Sequence, residues 1–273
     1  MFTDSHNHTS EFSGDAHMTS IELMDAALAK GLDAVVITEH LEMDYPHKVE
    51  KALIFDVDDY FSAFRNWKML VPAGLFLYSG IELGYQRHLC TQYDSLISRY
   101  PFDSVIMSNH LYAGQDPYFF RECYQNPKAQ VFARYIDEMT EMVLSCNEFD
   151  IVGHYDYIMR YSPYEDPTMK YSDAPASFEK FLQALVKKNK SLEINTRSIA
   201  KLMAKGIADI WPDREILSRY QALGGDRITL GSDSHDPSTL GFYFHETAAF
   251  LKSCGFRDLT TYIGREEIRT PIL

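Results

Sequence analysis

His6 and His8 stand two apart in the stretch Asp4-Ser5-His6-Asn7-His8. On an extended strand both side chains point to the same side. Two converging imidazoles make half a site for a divalent transition metal. A polar strand end with two solvated histidines is the plainer reading, and this stretch alone does not choose between them. Further along, His40, Glu82, His110, His154, Asp233 and His235 each follow a short apolar run. One histidine in such a place is usually a satisfied polar residue. Six imidazoles and two carboxylates in the same relation to successive runs are hard to explain without metal. His17, His47, His88 and His245 do not share this relation and are expected to be solvated.

The apolar runs that position these residues read as buried strands. After the opening stretch they fall at 33–38, 75–81, 103–108, 150–154, 191–195 and 226–231. Helical spacing separates them over 21–30, 57–70, 93–100, 129–146, 176–189, 213–223 and 239–252. In the first helix Thr19 or Ser20 can cap the start, Ile21, Met24 and Leu28 form an apolar stripe, and Gly31 stops it. The segment 111–127 is aromatic and long for a connection, as lids and binding loops are. The tail reads as a short extended segment. Strand–helix alternation without a linker or low-complexity break predicts one parallel α/β domain over residues 1–273, closed as a barrel. Parallel barrels carry their sites at the carboxyl ends of the strands, the face on which the candidates fall.

With the loop carboxylate Asp15, the candidate metal ligands are His6, His8, Asp15, His40, Glu82, His110, His154, Asp233 and His235. One ion takes roughly four to six donors, so this set suits two or three ions with bridging groups. Divalent ions on so few carboxylates leave an excess of positive charge, which favours a bound phosphate dianion. Arg160 lies six residues past His154, and Arg197 two past Asn195, both just beyond strand ends. A guanidinium is a planar fork that matches phosphate oxygens. Surface salt bridges are the plainer role for an arginine, but the position of these two favours phosphate.

The ordered motifs D-S-H-N-H…S-G-D (Asp4–Asp15), E-H (Glu39-His40), G-I-E (Gly80–Glu82), S-N-H (Ser108–His110), G-H (Gly153-His154) and G-S-D-S-H (Gly231–His235) resemble the polymerase-and-histidinol-phosphatase (PHP) superfamily. The similarity spans almost the whole chain and is strongest to the histidinol-phosphate phosphatases of that superfamily. H-x-H alone is weak; the ordered set is specific. The resemblance implies a distorted, TIM-like (β/α)7 barrel holding three divalent ions of zinc, iron or manganese. By analogy His6, His8, Glu82 and Asp233 hold one ion. Glu82 bridges to a second, completed by His110 and His154, and Asp15, His40 and His235 hold the third. Some relatives carry histidine at the Asp15 position, so the aspartate is expected to tune metal identity without removing a site. The implied activity is hydrolysis of the phosphomonoester L-histidinol phosphate to L-histidinol and phosphate, in histidine biosynthesis. Arg160 and Arg197 would then bind the phosphate, Glu42 and Asp44 the ammonium or imidazole of histidinol, and Asp233, or His235 if it is free of metal, would supply the proton for the leaving alkoxide.

The bulk properties narrow the rivals. A net charge of −13 argues against a nucleic-acid-binding face, though a small nucleotide or another phosphomonoester stays open as a substrate. No apolar run is long enough to cross a bilayer, and the first residues lack the apolar core and basic start of a cleaved signal. Cys90, Cys123, Cys146 and Cys254 are scattered, with no C-x-x-C pair, and are expected to be reduced thiols in a cytoplasmic protein. A metal-dependent amidohydrolase also begins with H-x-H, but the acidic Glu82 and the closing Asp-Ser-His point away from it. A metal-loaded scaffold without activity is disfavoured because all nine ligands are kept. Oligomeric state is not legible.

Overall fold

The expected runs become seven strands: β1 (Thr3–Asn7), β2 (Ala34–Leu41), β3 (Phe76–Gly84), β4 (Ser104–Ser108), β5 (Ile151–Val152), β6 (Ser191–Asn195) and β7 (Ile228–Gly231). The structure, a computed structural model, describes residues 2–49 and 53–272. The strands pair in parallel in sequence order. The turn after β7 returns to β1: the Ser232 N–H donates to Asp4 Oδ1 at 2.9 Å and the His8 N–H to the Ser234 carbonyl at 2.9 Å. Gly241 N–H takes the second Asp4 oxygen at 2.9 Å. The result is a nearly closed seven-stranded barrel, as expected.

Around it run α1 (Ser20–Ala29), α2 (Val57–Leu70), α3 (Cys90–Ile97), α4 (Lys128–Ser145), α5 (Pro175–Lys188), α6 (Thr196–Ala204), α7 (Arg214–Ala222) and α8 (Phe244–Ser253). Thr19 caps α1, with Glu22 bonding back to it. Its buried face is Leu23, Met24 and Ala27, while Ile21 and Leu28 are 42% and 43% exposed. The expected stripe was therefore misplaced: in a short run, two apolar phases compete and packing selects one.

Two elements escaped the sequence reading. Helix α6 starts with no intervening residue after β6, so no loop signal announces it; Asn195 closes the strand and caps the helix by accepting from the Arg197 N–H at 3.0 Å. The tail forms an antiparallel hairpin of β8 (Asp258–Ile263) and β9 (Glu266–Pro271). Its turn residues Gly264 and Arg265 both have positive φ, 57° and 67°, as a two-residue hairpin turn requires. Tyr262 packs on Ile106 of β4 and Ile151 of β5, and Arg265 Nε lies 2.6 Å from Asp150 Oδ2. The hairpin thus sits against the amino ends of these strands, away from the candidate ligands.

The thiol expectation is corrected. Cys90 and Cys146 form a disulfide across 56 residues of sequence, while Cys123 and Cys254 are free. Cys90 opens α3 and Cys146 follows α4; only the packing of those helices brings them together, so spacing carried no sign of it. Among the described residues no helix is long and apolar enough to cross a membrane.

Candidate metal centre

Each strand end delivers its ligand to one place. His6 leaves β1 and His8 follows one residue beyond it; His40 and Glu82 are register partners on β2 and β3, so their side chains share a side. His110 and His154 lie two residues past β4 and β5, and Asp233 and His235 follow β7. All eight are buried, whereas Asp15 is exposed at the rim. Asp233 takes a left-handed backbone (φ 51°), which aspartate tolerates better than most residues.

Glu82 is the hub. Its Oε1 lies 2.9 Å from His154 Nε2 and 3.4 Å from His110 Nε2. Its Oε2 lies 2.7 Å from His40 Nδ1, 3.3 Å from His6 Nε2 and 3.6 Å from His8 Nε2. Asp233 Oδ1 is 3.5 Å from His8 Nε2 and 4.0 Å from His6 Nε2. Asp15 Oδ2 is 3.1 Å from His235 Nε2 and 3.7 Å from His40 Nε2. All nine expected ligands therefore meet in one continuous cluster.

The cluster fits divalent metal on three grounds. Bonds of about 2.0–2.2 Å place neighbouring donors of a tetrahedral ion about 3.3–3.6 Å apart, and these separations bracket that range. His6 Nε2 and His8 Nε2 are buried without a hydrogen-bond partner, a costly state unless a cation satisfies them. Most telling are the outer contacts of the rings. His6 Nδ1 donates to Glu193 Oε1 at 2.8 Å and His110 Nδ1 to Glu42 Oε1 at 2.6 Å, while His235 Nδ1 accepts from Arg197 Nη1 at 2.8 Å. His8 Nδ1 is 3.3 Å from Ser13 Oγ, itself bonded to Glu39. Each ring that spends its Nδ1–H outward leaves the Nε2 lone pair for an ion.

The charges agree. Burial pushes His40 down, but the Asp15 and Glu82 carboxylates outweigh it and raise it to about 9. Burial and the neighbouring His40 and His235 push His8 well below the usual imidazole range. Burial opposes ionisation of Asp233, yet the Arg197 and Arg160 guanidiniums hold its carboxyl well below the usual carboxylate range. Glu39 is pushed up to about 7 by burial.

Both arginines reach the cluster. Arg160 is buried, with Nη1 on Asp233 Oδ2 at 2.8 Å and Nε on Ser198 Oγ at 3.0 Å, and Ser198 donates to Asp156 Oδ1 at 2.7 Å. Its Nη2 has no partner. Arg197, in the first turn of α6, has Nη1 3.1 Å from Asp233 Oδ1. A cleft of about 480 Å³ opens above, walled by Tyr45, Asp116, Tyr118, Phe119, Tyr157 and Tyr161, with His17 among its lining. Asp116, from the 111–127 segment, accepts from Tyr157 Oη at 3.0 Å and from Tyr45, which ties that segment to the one after β2.

The two carboxylates expected to meet the substrate separate. Glu42 lines the cleft, but it is bonded to His110, and a Cβ placed on Gly84 would fall 1.8 Å from its Oε2. Asp44 is exposed, paired with His88 Nε2 at 2.9 Å, and does not line the cleft. Its left-handed backbone (φ 54°) turns the chain there, which spacing from His40 does not reveal. The sequence reading also missed Glu193, Glu39, Ser198 and Asp156. A signal existed for the first two: each is a carboxylate inside an apolar strand run, a place a charge does not occupy without partners.

Known proteins match this geometry. The sequence model of the PHP domain matches residues 4–197. A probable histidinol-phosphatase of Clostridium acetobutylicum is 34% identical over 261 residues, covering 94% of this chain and 95% of that protein. The histidinol-phosphatase of Lactococcus lactis is 28% identical over 262 residues, covering 96% and 94%. The crystal structure of a Lactococcus lactis histidinol phosphate phosphatase, complexed with zinc, L-histidinol and phosphate, superposes with a TM-score of 0.86 and 27% identity over 98% of both chains. With a buried cluster suited to divalent metal at the mouth of a seven-stranded barrel, this chain belongs to the PHP domain family.

Proposed function

We propose that the protein is a metal-dependent histidinol-phosphatase, hydrolysing L-histidinol phosphate to L-histidinol and phosphate in histidine biosynthesis. The observation that carries this reading is the placement of two guanidiniums on Asp233, beside the imidazole cluster, at the floor of an aromatic cleft. His6, His8, Glu82 and Asp233 would hold one ion, Glu82, His110 and His154 a second, and Asp15, His40 and His235 a third. Zinc, iron and manganese all suit this mixed nitrogen and oxygen set. When bound, the ions supply Lewis acidity and a water acidified for attack on phosphorus.

The chain's own groups do the rest. Arg160, through its unpartnered Nη2, and Arg197 hold the phosphate oxygens and offset the charge that develops on them. Ionised Asp233 orients Arg160 and Arg197 through its two oxygens and keeps its negative charge for an ion. It has no proton to give, so of the two expected acids the protonation of the leaving alkoxide falls to His235, in the state where that ring is free of metal. The aromatic walls exclude water around the histidinol moiety. Residues 1–273 act as one domain in this reading, and a biosynthetic role places the protein in the cytoplasm, where the state of the Cys90–Cys146 bond depends on the redox poise.

The test is phosphate release from L-histidinol phosphate, abolished by chelator and restored by added zinc, manganese or iron, with elemental analysis of the same sample. Three ions per chain are expected. Equal rates across a panel of phosphomonoesters and nucleotides would replace this reading with a generalist phosphoesterase.

A further inference from the structure

The strongest feature that the proposed chemistry leaves unused is Glu193. It lies mid-strand on β6, fully buried, with three donors converging on it. His6 Nδ1 donates to Oε1 at 2.8 Å, while the His154 backbone N–H and Asn195 Nδ2 donate to Oε2 at 2.6 and 3.2 Å. These partners come from the β1 end, the β5 end and β6 itself. Space for the carboxylate is reserved by Gly231 at the end of β7, where a Cβ would fall 2.0 Å from Glu193 Oε1 and 2.6 Å from His6 Cβ. A buried carboxylate is costly unless its oxygens are satisfied by donors. Here one donor is the outward nitrogen of a candidate ligand and another is the main chain of a second.

We propose that Glu193 is a positioning residue of the metal centre: it holds the His6 ring with Nε2 turned to the ion and fixes the His154 backbone beside it. The proposal rests on the metal reading of the cluster and is independent of which phosphoester is cleaved. A carboxylate behind a ligating histidine sets its tautomer and orientation and raises its basicity, and losing such a partner typically weakens metal binding roughly 10–100-fold. A carboxylate that merely struts three strands together would instead change stability and leave affinity alone.

The experiment is zinc titration against a competing chromophoric chelator on metal-stripped protein, with thermal melting of the stripped samples in parallel. Glu193→Gln keeps the shape and removes the charge. Glu193→Asp keeps the charge and withdraws it by one methylene, and it decides the matter should the glutamine variant fail to fold. Both variants are expected to bind one class of zinc roughly 10–100-fold more weakly. Their phosphate release should be lost at limiting zinc and recover in excess zinc. Wild-type zinc affinity in Glu193→Asp, with only a lower melting temperature, overturns the proposal in favour of a strut. Wild-type protein that takes up none of zinc, manganese and iron overturns the metal reading and this inference together.

Discussion

Arg160 shows how one side chain is committed before any substrate arrives. Nε is used by Ser198 and Nη1 by Asp233, leaving Nη2 free in a buried position. A lysine at 160 would keep the positive charge but could not serve three directions from one plane. Arg160→Lys is therefore expected to lower kcat/KM for L-histidinol phosphate roughly 10²–10³-fold, the scale of losing one oriented donor to developing charge, with zinc content unchanged. Steady-state kinetics beside elemental analysis checks it. An effect confined to zinc content would instead mean that Arg160 acts only through Asp233.

Among the elements, the junction of β6 and α6 joins both halves of the site. Asn195 donates to Glu193 behind the metal ligands and caps the helix whose first turn carries Arg197. Asn195→Ala should cost about 1 kcal/mol of stability as a lost cap and raise KM several-fold through a displaced Arg197, read by urea unfolding and kinetics. The α3–α4 staple is a second element with its own test. Denatured protein kept from reductant should show two reactive thiols, and four after reduction. Cys146→Ser should lower the unfolding free energy by about 2–4 kcal/mol, as a closed loop of 56 residues implies, with phosphate release retained. Four thiols before reduction would show that the pair is open in solution.

Across the molecule, protons and metal compete for the same imidazoles. His40 sits near 9 in the folded, metal-free protein because Asp15 and Glu82 outweigh its burial. A histidine raised on folding contributes stability that is fully present below the unfolded value near 6.5 and is lost as pH rises through about 9. Metal requires the neutral ring, so affinity for zinc grows over the same window. The increment in melting temperature produced by zinc should therefore increase from pH 6.5 to 9, measured by calorimetry with and without chelator. An increment that is flat or shrinks with pH would show that His40 is not displaced from its carboxylate partners by the ion.

What the sequence determined by itself was the inventory of the site and its order. Apolar runs closing on His6/His8, His40, Glu82, His110, His154 and Asp233/His235 require a parallel strand array with its ligands on one face, because strand period and connection handedness leave little choice. The tertiary structure decided the partnerships. Whether Glu42 faces a substrate or His110, whether Glu193 stands behind His6, and whether Cys90 meets Cys146 depend on register, on barrel closure through Asp4 and on the room left by Gly84 and Gly231. Those are contacts between residues far apart in the chain, so no local periodicity encodes them. His6 and His8 could be recognised as ligands from their spacing; the carboxylate that orients His6 became visible only when β6 was laid across the barrel from β1.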